Sequence, residues 1–127
     1  MSWIYIEREQ YVRMSDKLSV TEDVRGSIKN WAVSVSNKSE TPRLKLVFRT
    51  ENNRYEAWSA GIPNPDSNKG KSGGYRLVYF LDLIDKTINL DYIELRKNMG
   101  FKNEGSKKKD KYNDYIRDLK KALRDFC

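Results

Sequence analysis

Residues 75–81 carry the sequence Tyr-Arg-Leu-Val-Tyr-Phe-Leu, and this stretch decides the fold. Apart from Arg76, its side chains are aliphatic or aromatic at every position, so the run has no polar face for solvent. A strand that is apolar on both faces belongs in the middle of a sheet whose two faces are covered. The rest of the chain must therefore supply neighbouring strands and the elements that pack over them.

Further strands are predicted on both sides of this central run, over residues 44–49, 55–62 and 88–93. Leu44, Leu46 and Phe48 take alternate positions in the first of them, which predicts one apolar face. Polar residues at 51–53 predict a hairpin turn, and residues 82–86 predict the turn before the last strand. The central strand therefore has candidate neighbours on both of its edges.

Two amphipathic helices are predicted to pack on this sheet. The sequence Ser19-Val20-Thr21-Glu22 matches a capping box, in which the serine and the glutamate bond each other's backbone amides, and it predicts a helix over about 20–35. The apolar stripe of this helix consists of Val24, Ile28, Trp31, Ala32 and Val35. A second helix, with a basic outer face, is predicted from the helical spacing of Tyr112, Tyr115, Ile116, Leu119, Ala122, Leu123 and Phe126.

The order of these elements predicts the fold class. With a short strand at Trp3–Ile6, the chain runs strand, helix, several antiparallel strands and helix. This order predicts one α+β domain over residues 1–127, with a mostly antiparallel sheet packed against an N-terminal helical segment and a C-terminal helix. Lys107, Lys108 and Lys109 are predicted in the connection before the last helix.

The composition restricts the chemistry that the chain can perform. Its 127 residues include no histidine and one cysteine, which excludes histidine-based triads, histidine metal sites and an internal disulfide. Of the net charge of +7, the last 27 residues carry +4, and such a basic balance suits RNA or an acidic protein. The sequence shows neither a signal peptide nor an apolar run that could span a bilayer, which predicts a cytoplasmic protein without membrane contact.

The segment Gly61–Gly74, with two prolines and four glycines, predicts a loop that leads into the central strand. Lys69, Lys71 and Arg76 concentrate positive charge around its second half, and the glycines let a ligand approach the backbone closely. The segment differs from a nucleotide-binding P-loop, because Pro65 stands where the first glycine is required and a strand follows instead of a helix. The pattern indicates a different kind of anion site.

Arg76 is the single charge in the central strand. A cation at such a position is costly unless it faces water, a carboxylate or a phosphate. One interpretation is an ion pair with Glu56 or Asp91 on a neighbouring strand, and the other is a phosphate ligand. The residues alone leave both interpretations open.

Residues 55–97 resemble the RelE/ParE/HigB superfamily of toxins from bacterial type II toxin–antitoxin systems. The resemblance rests on Trp58–Asp66 (WSAGIPNPD), on Lys69–Leu81 (KGKSGGYRLVYFL) and on the strand Ile88–Glu94. Many members carry IPNPD, then GKSGG, then an aromatic residue and an arginine, in this order. The RelE-like branch is favoured, because two lysines beside the strand arginine are the arrangement of that branch.

The resemblance implies a toxin that cleaves mRNA in the ribosomal decoding site, with no metal and no cofactor. A ribose 2′-hydroxyl attacks the adjacent phosphate and leaves a 2′,3′-cyclic phosphate and a 5′-hydroxyl end. The residues expected to carry catalysis are Lys69, Lys71, Arg76 and Arg96. Those expected to contact RNA are Lys97, Lys107, Lys108 and Lys109. RelE-like sites often add a tyrosine, for which Tyr112 and Tyr115 are candidates, although both also fit the apolar face of the last helix.

Two other functions remain open on the sequence. The ParE branch of the same fold inhibits DNA gyrase without cutting RNA, and a degenerate relative would only bind an antitoxin or a nucleic acid. Both toxin interpretations imply a cognate antitoxin that wraps the basic surface. The ribonuclease interpretation adds mRNA and the ribosome as partners.

Overall fold

The sheet and helices of this protein are described by a computed structural model over residues 4–37, 45–64, 74–95 and 106–125. The strands are β1 (Ile4–Glu7), β2 (Lys45–Arg49), β3 (Tyr55–Ile62), β4 (Tyr75–Asp82) and β5 (Thr87–Leu95). The helices are α1 (Glu9–Lys17), α2 (Glu22–Asn37) and α3 (Ser106–Asp125). All five strands join one sheet with helices against it, which confirms the predicted α+β class.

The strands follow the order β1-β5-β4-β3-β2, which places β4 in the middle of the sheet as predicted. β2, β3, β4 and β5 pair antiparallel in succession, whereas β1 runs parallel to β5 at one edge. Both predicted turns are present, and Asn53 and Lys86 take positive φ angles of 59° and 57° in them. The mostly antiparallel sheet is thereby confirmed.

Both faces of β4 are buried, each in its own apolar core. Leu77 and Tyr79 face the core that α1 and α2 cover, and Val78 and Phe80 face the core under α3. In the first of these cores the ring of Trp31 meets that of Tyr79 edge-on, with centroids 5.2 Å apart. Moving β4 to an edge would expose apolar surface from both cores, so the hydrophobic effect fixes its central place.

Helix α1 was not predicted from the sequence. Its two buried residues, Tyr11 and Ser15, lie one turn apart. Met14 and Leu18 pack against the same core, so Tyr11, Met14, Ser15 and Leu18 keep the spacing of one helix face. The stripe is short and includes a serine among many charged neighbours, and it was overlooked in the sequence.

Helix α2 begins two residues later than predicted, with a different cap. The backbone N–H of Val24 donates to Thr21 Oγ1 at 3.3 Å, which makes Thr21 the capping residue. Ser19 lies before the helix with a φ angle of 55°, so the predicted capping box is wrong. The predicted apolar stripe is confirmed where its side chains are described, with Val24, Ile28 and Ala32 buried and Trp31 packed against them.

A β-bulge between Leu46 and Phe48 interrupts the alternation of β2. Val47 is the extra residue and packs beside Phe48 against the α3 core, while Leu46 is 41% exposed. The bulge turns two successive side chains toward the same face. The apolar face predicted for Leu46 and Phe48 is therefore wrong, and Leu44 lies outside the described residues.

Helix α3 extends further toward its N-terminus than predicted. It begins at Ser106, so Lys107–Lys109 belong to its first turns and not to a connection. Its predicted apolar face is buried at Leu119 and Leu123, with Tyr112, Tyr115 and Ile116 packed beside them, whereas Ala122 is exposed. Within the described part of the chain, no helix is long and apolar enough to cross a membrane.

Candidate functional site

Arg76 lies on the middle strand and faces α3. Val78 and Phe80 face the α3 core, and Arg76 shares their side because side chains alternate along a strand. Its register partners are Gly61 on β3 and Glu94 on β5. A Cβ atom at Gly61 would meet nothing within 4 Å among the described residues. The partly buried Arg76 therefore has on one side a glycine with no described atom above it, and on the other a carboxylate residue.

Tyr112, near the start of α3, lies within the electrostatic influence of Arg76. Burial raises the pKa of the Tyr112 phenol above its ordinary value of 10.0, and the positive charge of Arg76 acts against that rise. Because the net shift is upward, the hydroxyl keeps its proton at neutral pH. Tyr112 is thus a hydrogen-bond donor whose pKa responds to the charge of Arg76.

Three tyrosines form a cluster between β5 and α3. The ring of Tyr92 stacks on that of Tyr115 with centroids 4.1 Å apart, and it meets Tyr112 edge-on at 6.2 Å. Burial, and then the nearby charge of Glu94, raises the pKa of Tyr92 to about 12. Tyr92 is 8% exposed, so its role is to support Tyr112 by packing.

A β-bulge in β5 turns two successive side chains toward α3. Val78 pairs with Tyr92 and Tyr79 pairs with Leu90, which leaves Asp91 as the extra residue. Tyr92 joins the tyrosine cluster, and Asp91 is buried beside it. The bulge therefore supplies both an aromatic ring and a carboxylate to the same face.

Both carboxylate oxygens of Asp91 are hydrogen-bonded. Arg8 Nε donates to Asp91 Oδ1 at 2.7 Å, and the Tyr115 hydroxyl donates to Asp91 Oδ2 at 2.5 Å. The guanidinium of Arg8 also lies 5.2 Å from the centre of the Phe80 ring. Tyr115 is thus engaged with Asp91, which leaves Tyr112 as the tyrosine of α3 that lies beside Arg76.

The two carboxylates considered as ion-pair partners of Arg76 bind other arginines. Glu56 pairs with Arg49 at 3.0 Å across β2 and β3. Asp91 pairs with Arg8, as described above. The acidic residue that faces Arg76 in register is a third one, on β5.

The strand ends next to Arg76 meet at one end of the sheet. Ile62 at the end of β3 pairs with Tyr75 at the start of β4, and Tyr75 pairs with Leu95 at the end of β5. Just after β3, Asn64 Nδ2 donates to the Tyr75 hydroxyl at 3.3 Å. The chain segments that follow β3 and β5 therefore both leave the sheet beside Arg76.

Half of the predicted site residues lie outside the described part of the chain, namely Lys69, Lys71, Arg96 and Lys97. By chain order the first two lie between β3 and β4, and the last two follow β5. The backbone of Lys107–Lys109 lies in the first turns of α3, where Lys108 stands one turn before Tyr112. The strand predicted over 55–62 is confirmed, because β3 spans Tyr55–Ile62 and therefore includes the first two residues of the predicted loop segment.

Sequence reasoning missed Glu94. Counting back along the β4–β5 hairpin from its turn places Ile93 opposite Arg76, and the bulge at Asp91 moves that position to Glu94. A bulge of this kind cannot be recognised from the alternation of apolar and polar side chains in the sequence. The only available signal was that Glu94 is charged within a strand of mostly apolar residues.

The described residues give this site one guanidinium, one phenol and one carboxylate residue around the open position at Gly61. Among these residues, no three acidic or cysteine side chains are grouped so that they could hold a metal ion. Comparison with models of protein families, with curated proteins and with solved structures gave no match.

Proposed function

We propose that this chain is the toxin of a type II toxin–antitoxin system and acts as a ribosome-dependent endoribonuclease. The observation that carries the proposal is the placement of Arg76, half-buried on the middle strand beside Tyr112 and opposite Glu94 and Gly61. A cation in such a position requires water or an anion to face it. A phosphate of RNA is an anion of the right charge and shape.

The reaction needs a base, a cation and an acid. The 2′-oxygen forms a bond to phosphorus while the bond from phosphorus to the 5′-oxygen breaks. The proton of the 2′-hydroxyl passes to the base, and the acid returns a proton to the departing 5′-oxygen. Arg76 stabilises the negative charge that grows on the phosphate oxygens.

The remaining roles fall to groups on either side of Arg76. Tyr112 holds its proton at neutral pH and is the acid in this proposal. The base is either a lysine of the segment between β3 and β4, Lys69 or Lys71, or the carboxylate of Glu94. Lysines in a cluster of positive charge lose their protons more easily, which suits them to this role.

Partners follow from the same proposal. The basic surface and the lysines around the site would bind ribosomal RNA and mRNA through their phosphates. A cognate antitoxin with an acidic or amphipathic segment would cover the site. The proposed reaction takes place in the cytoplasm, where ribosomes translate.

The test is a cleavage assay with purified ribosomes programmed with a defined mRNA. Wild-type protein should produce fragments that end in a 2′,3′-cyclic phosphate, whereas Arg76→Ala should slow cleavage by about 100-fold or more, the usual cost of losing one stabiliser of transition-state charge. Arg49→Ala is the control, because Arg49 is also an arginine on a strand of the sheet but pairs with Glu56 outside the proposed site. Its cleavage rate should stay within about threefold of wild type.

Uncut mRNA with the wild-type protein would remove the ribonuclease function. Equal losses in Arg76→Ala and Arg49→Ala would show that cleavage depends on general charge and not on this site. A parallel supercoiling assay with DNA gyrase addresses the ParE-like alternative, which predicts inhibition there and intact mRNA on the ribosome.

A further inference from the structure

A line of side chains in direct contact runs across the α3 face of the sheet. It begins at Arg8, between β1 and α1, and ends at Tyr112 on α3, over the sheet face on which Arg76 lies. In order, its members are Arg8, Asp91, Tyr115, Tyr92 and Tyr112. The line therefore joins the start of the chain to the neighbourhood of the candidate site.

The first half of the line is held by short polar contacts. Arg8 and Tyr115 each donate to one oxygen of Asp91, at 2.7 Å and 2.5 Å. Asp91 is 4% exposed, so a lost partner could not be replaced freely by bulk water. A buried carboxylate with both oxygens engaged has a fixed orientation, and it fixes the position of the phenol that binds it.

The second half is held by ring packing. Tyr115 and Tyr92 are stacked, with an angle of 21° between their planes, and Tyr92 contacts Tyr112 edge-on at an angle of 60°. Tyr115 and Tyr112 lie one helical turn apart on α3. A rotation of α3 at Tyr115 would therefore displace Tyr112 as well, both through the helix and through Tyr92.

We propose that Arg8 is a positioning residue for the candidate site, and that through Asp91 and Tyr115 it holds α3 so that Tyr112 stays beside Arg76. Removing Arg8 leaves a buried negative charge that only Tyr115 partners. Asp91 then draws in water or rotates, and α3 moves with it. The consequence for catalysis rests on the proposed ribonuclease function, whereas the coupling of Arg8 to Tyr112 does not.

The coupling is tested by ¹⁹F NMR of protein labelled with 3-fluorotyrosine. The Tyr112 signal is assigned by its loss in Tyr112→Phe, and the Tyr79 signal, on the opposite face of the sheet, serves as an internal reference. Arg8→Gln should displace the Tyr112 signal by more than its linewidth and leave the Tyr79 signal in place. Tyr115→Phe, which deletes only the hydroxyl that binds Asp91, should displace the same signal.

Arg49→Gln is a closely matched control. Its Nε forms an ion pair with Glu56 at 3.0 Å, and its side chain is 50% exposed against 48% for Arg8. Because Arg49 lies outside the line, its loss should leave the Tyr112 signal unmoved. If Arg8→Gln does not fold, the displacement of the Tyr112 signal in Tyr115→Phe still tests the coupling.

An unmoved Tyr112 signal in folded Arg8→Gln or in Tyr115→Phe would overturn the proposal. So would an equal displacement in Arg49→Gln. In the ribosome assay, Arg8→Gln should lower kcat by about 10- to 100-fold with little change in KM, since misplacement costs rate although Arg8 does not touch the substrate. A displaced Tyr112 signal combined with uncut mRNA in the wild type would support the positioning role and remove the ribonuclease function alone.

Discussion

Two tyrosine hydroxyls make opposite contributions to the stability of this protein. The Tyr115 hydroxyl donates to Asp91 at 2.5 Å, so its burial is compensated. The Tyr79 hydroxyl is buried against the first core and, among the described residues, has no hydrogen-bond partner. Burial without a partner costs the hydroxyl its bonds to water, and it also raises the pKa of Tyr79.

Removing these two hydroxyls should therefore change stability in opposite directions. Tyr79→Phe is expected to raise the free energy of unfolding by roughly 0.5–1 kcal/mol, because an uncompensated polar atom is removed without leaving a cavity. Tyr115→Phe is expected to lower it by about 1–3 kcal/mol, because the hydroxyl binds a charged group.

Urea denaturation followed by tryptophan fluorescence measures both differences. The two variants are each other's control, since the chemical change is identical and both side chains are buried. A loss of stability in Tyr79→Phe as large as that in Tyr115→Phe would contradict this account of the two sites.

At the scale of elements, Arg54 joins the two hairpin turns of the sheet. From just before β3 it donates to both carboxylate oxygens of Asp82 at the end of β4, at 3.3 and 3.1 Å. The backbone N–H groups of Ile84 and Asp85 also donate to Asp82, at 3.0 and 3.1 Å. Burial alone would raise the pKa of Asp82, but these four hydrogen bonds outweigh it and hold the pKa below the ordinary 3.8.

This lowered pKa predicts how stability depends on pH. The carboxylate contribution of Asp82 is complete above pH 3.8, the ordinary value for the unfolded chain, and it is lost as pH falls through the lower folded value. Asp82→Asn should therefore be less stable than wild type at neutral pH, and the difference should shrink below pH 3.8. Urea midpoints for both proteins between pH 7 and pH 3 measure this, and a constant difference over that range would contradict the prediction.

Prediction from sequence succeeded for elements with a clear apolar pattern. The central place of β4 and the turns beside it follow from hydrophobicity and turn residues alone. Helix α1 was missed although Tyr11, Met14 and Leu18 have helical spacing, because this short stripe includes Ser15 and lies among charged residues. The face of β2 was misplaced because a bulge inserts a residue without changing the pattern.

The candidate site could be predicted only in part. Arg76 is recognised in the sequence because it is the single charge in an apolar strand, and its role in a functional site stays a prediction. The positions of Glu94 and Tyr112 depend on the bulge in β5 and on how α3 packs, and no local pattern encodes either. Contacts between residues that are distant in sequence cannot be predicted from the local patterns of a single chain.

At the scale of the whole molecule, positive charge is concentrated on the outer face of α3. Lys111, Lys120 and Lys121 are exposed there, and Arg117 pairs with Asp114 at 3.1 Å. With a net charge of +7, the protein attracts polyanions over the Debye length, which is about 8 Å at physiological salt. This attraction would select the kind of partner, whereas in the proposed function the site around Arg76 selects the bond that is cut.

The proposed function predicts that expression of the chain alone arrests growth of a bacterial host. Arg76→Ala should restore growth at equal protein level, and Arg49→Ala should remain toxic, since only the first removes a group of the site. Growth curves with an immunoblot for protein level measure the effect. Normal growth with the wild-type chain at a confirmed level would contradict the toxin function.

The parallel pairing of β1 with β5 has a consequence for how the chain folds during synthesis. Arg8 and Asp91 are 83 residues apart, and Ile4 pairs with Thr87, so the contact order of this edge is high. Pairing of this kind cannot form until the residues of β5 have left the exit tunnel, and α3 follows later still. Until then β1 and Arg8 lack their partners, and the line from Arg8 to Tyr112 is incomplete. This edge of the sheet is therefore expected to be among the last parts of the fold to form as the chain is synthesised.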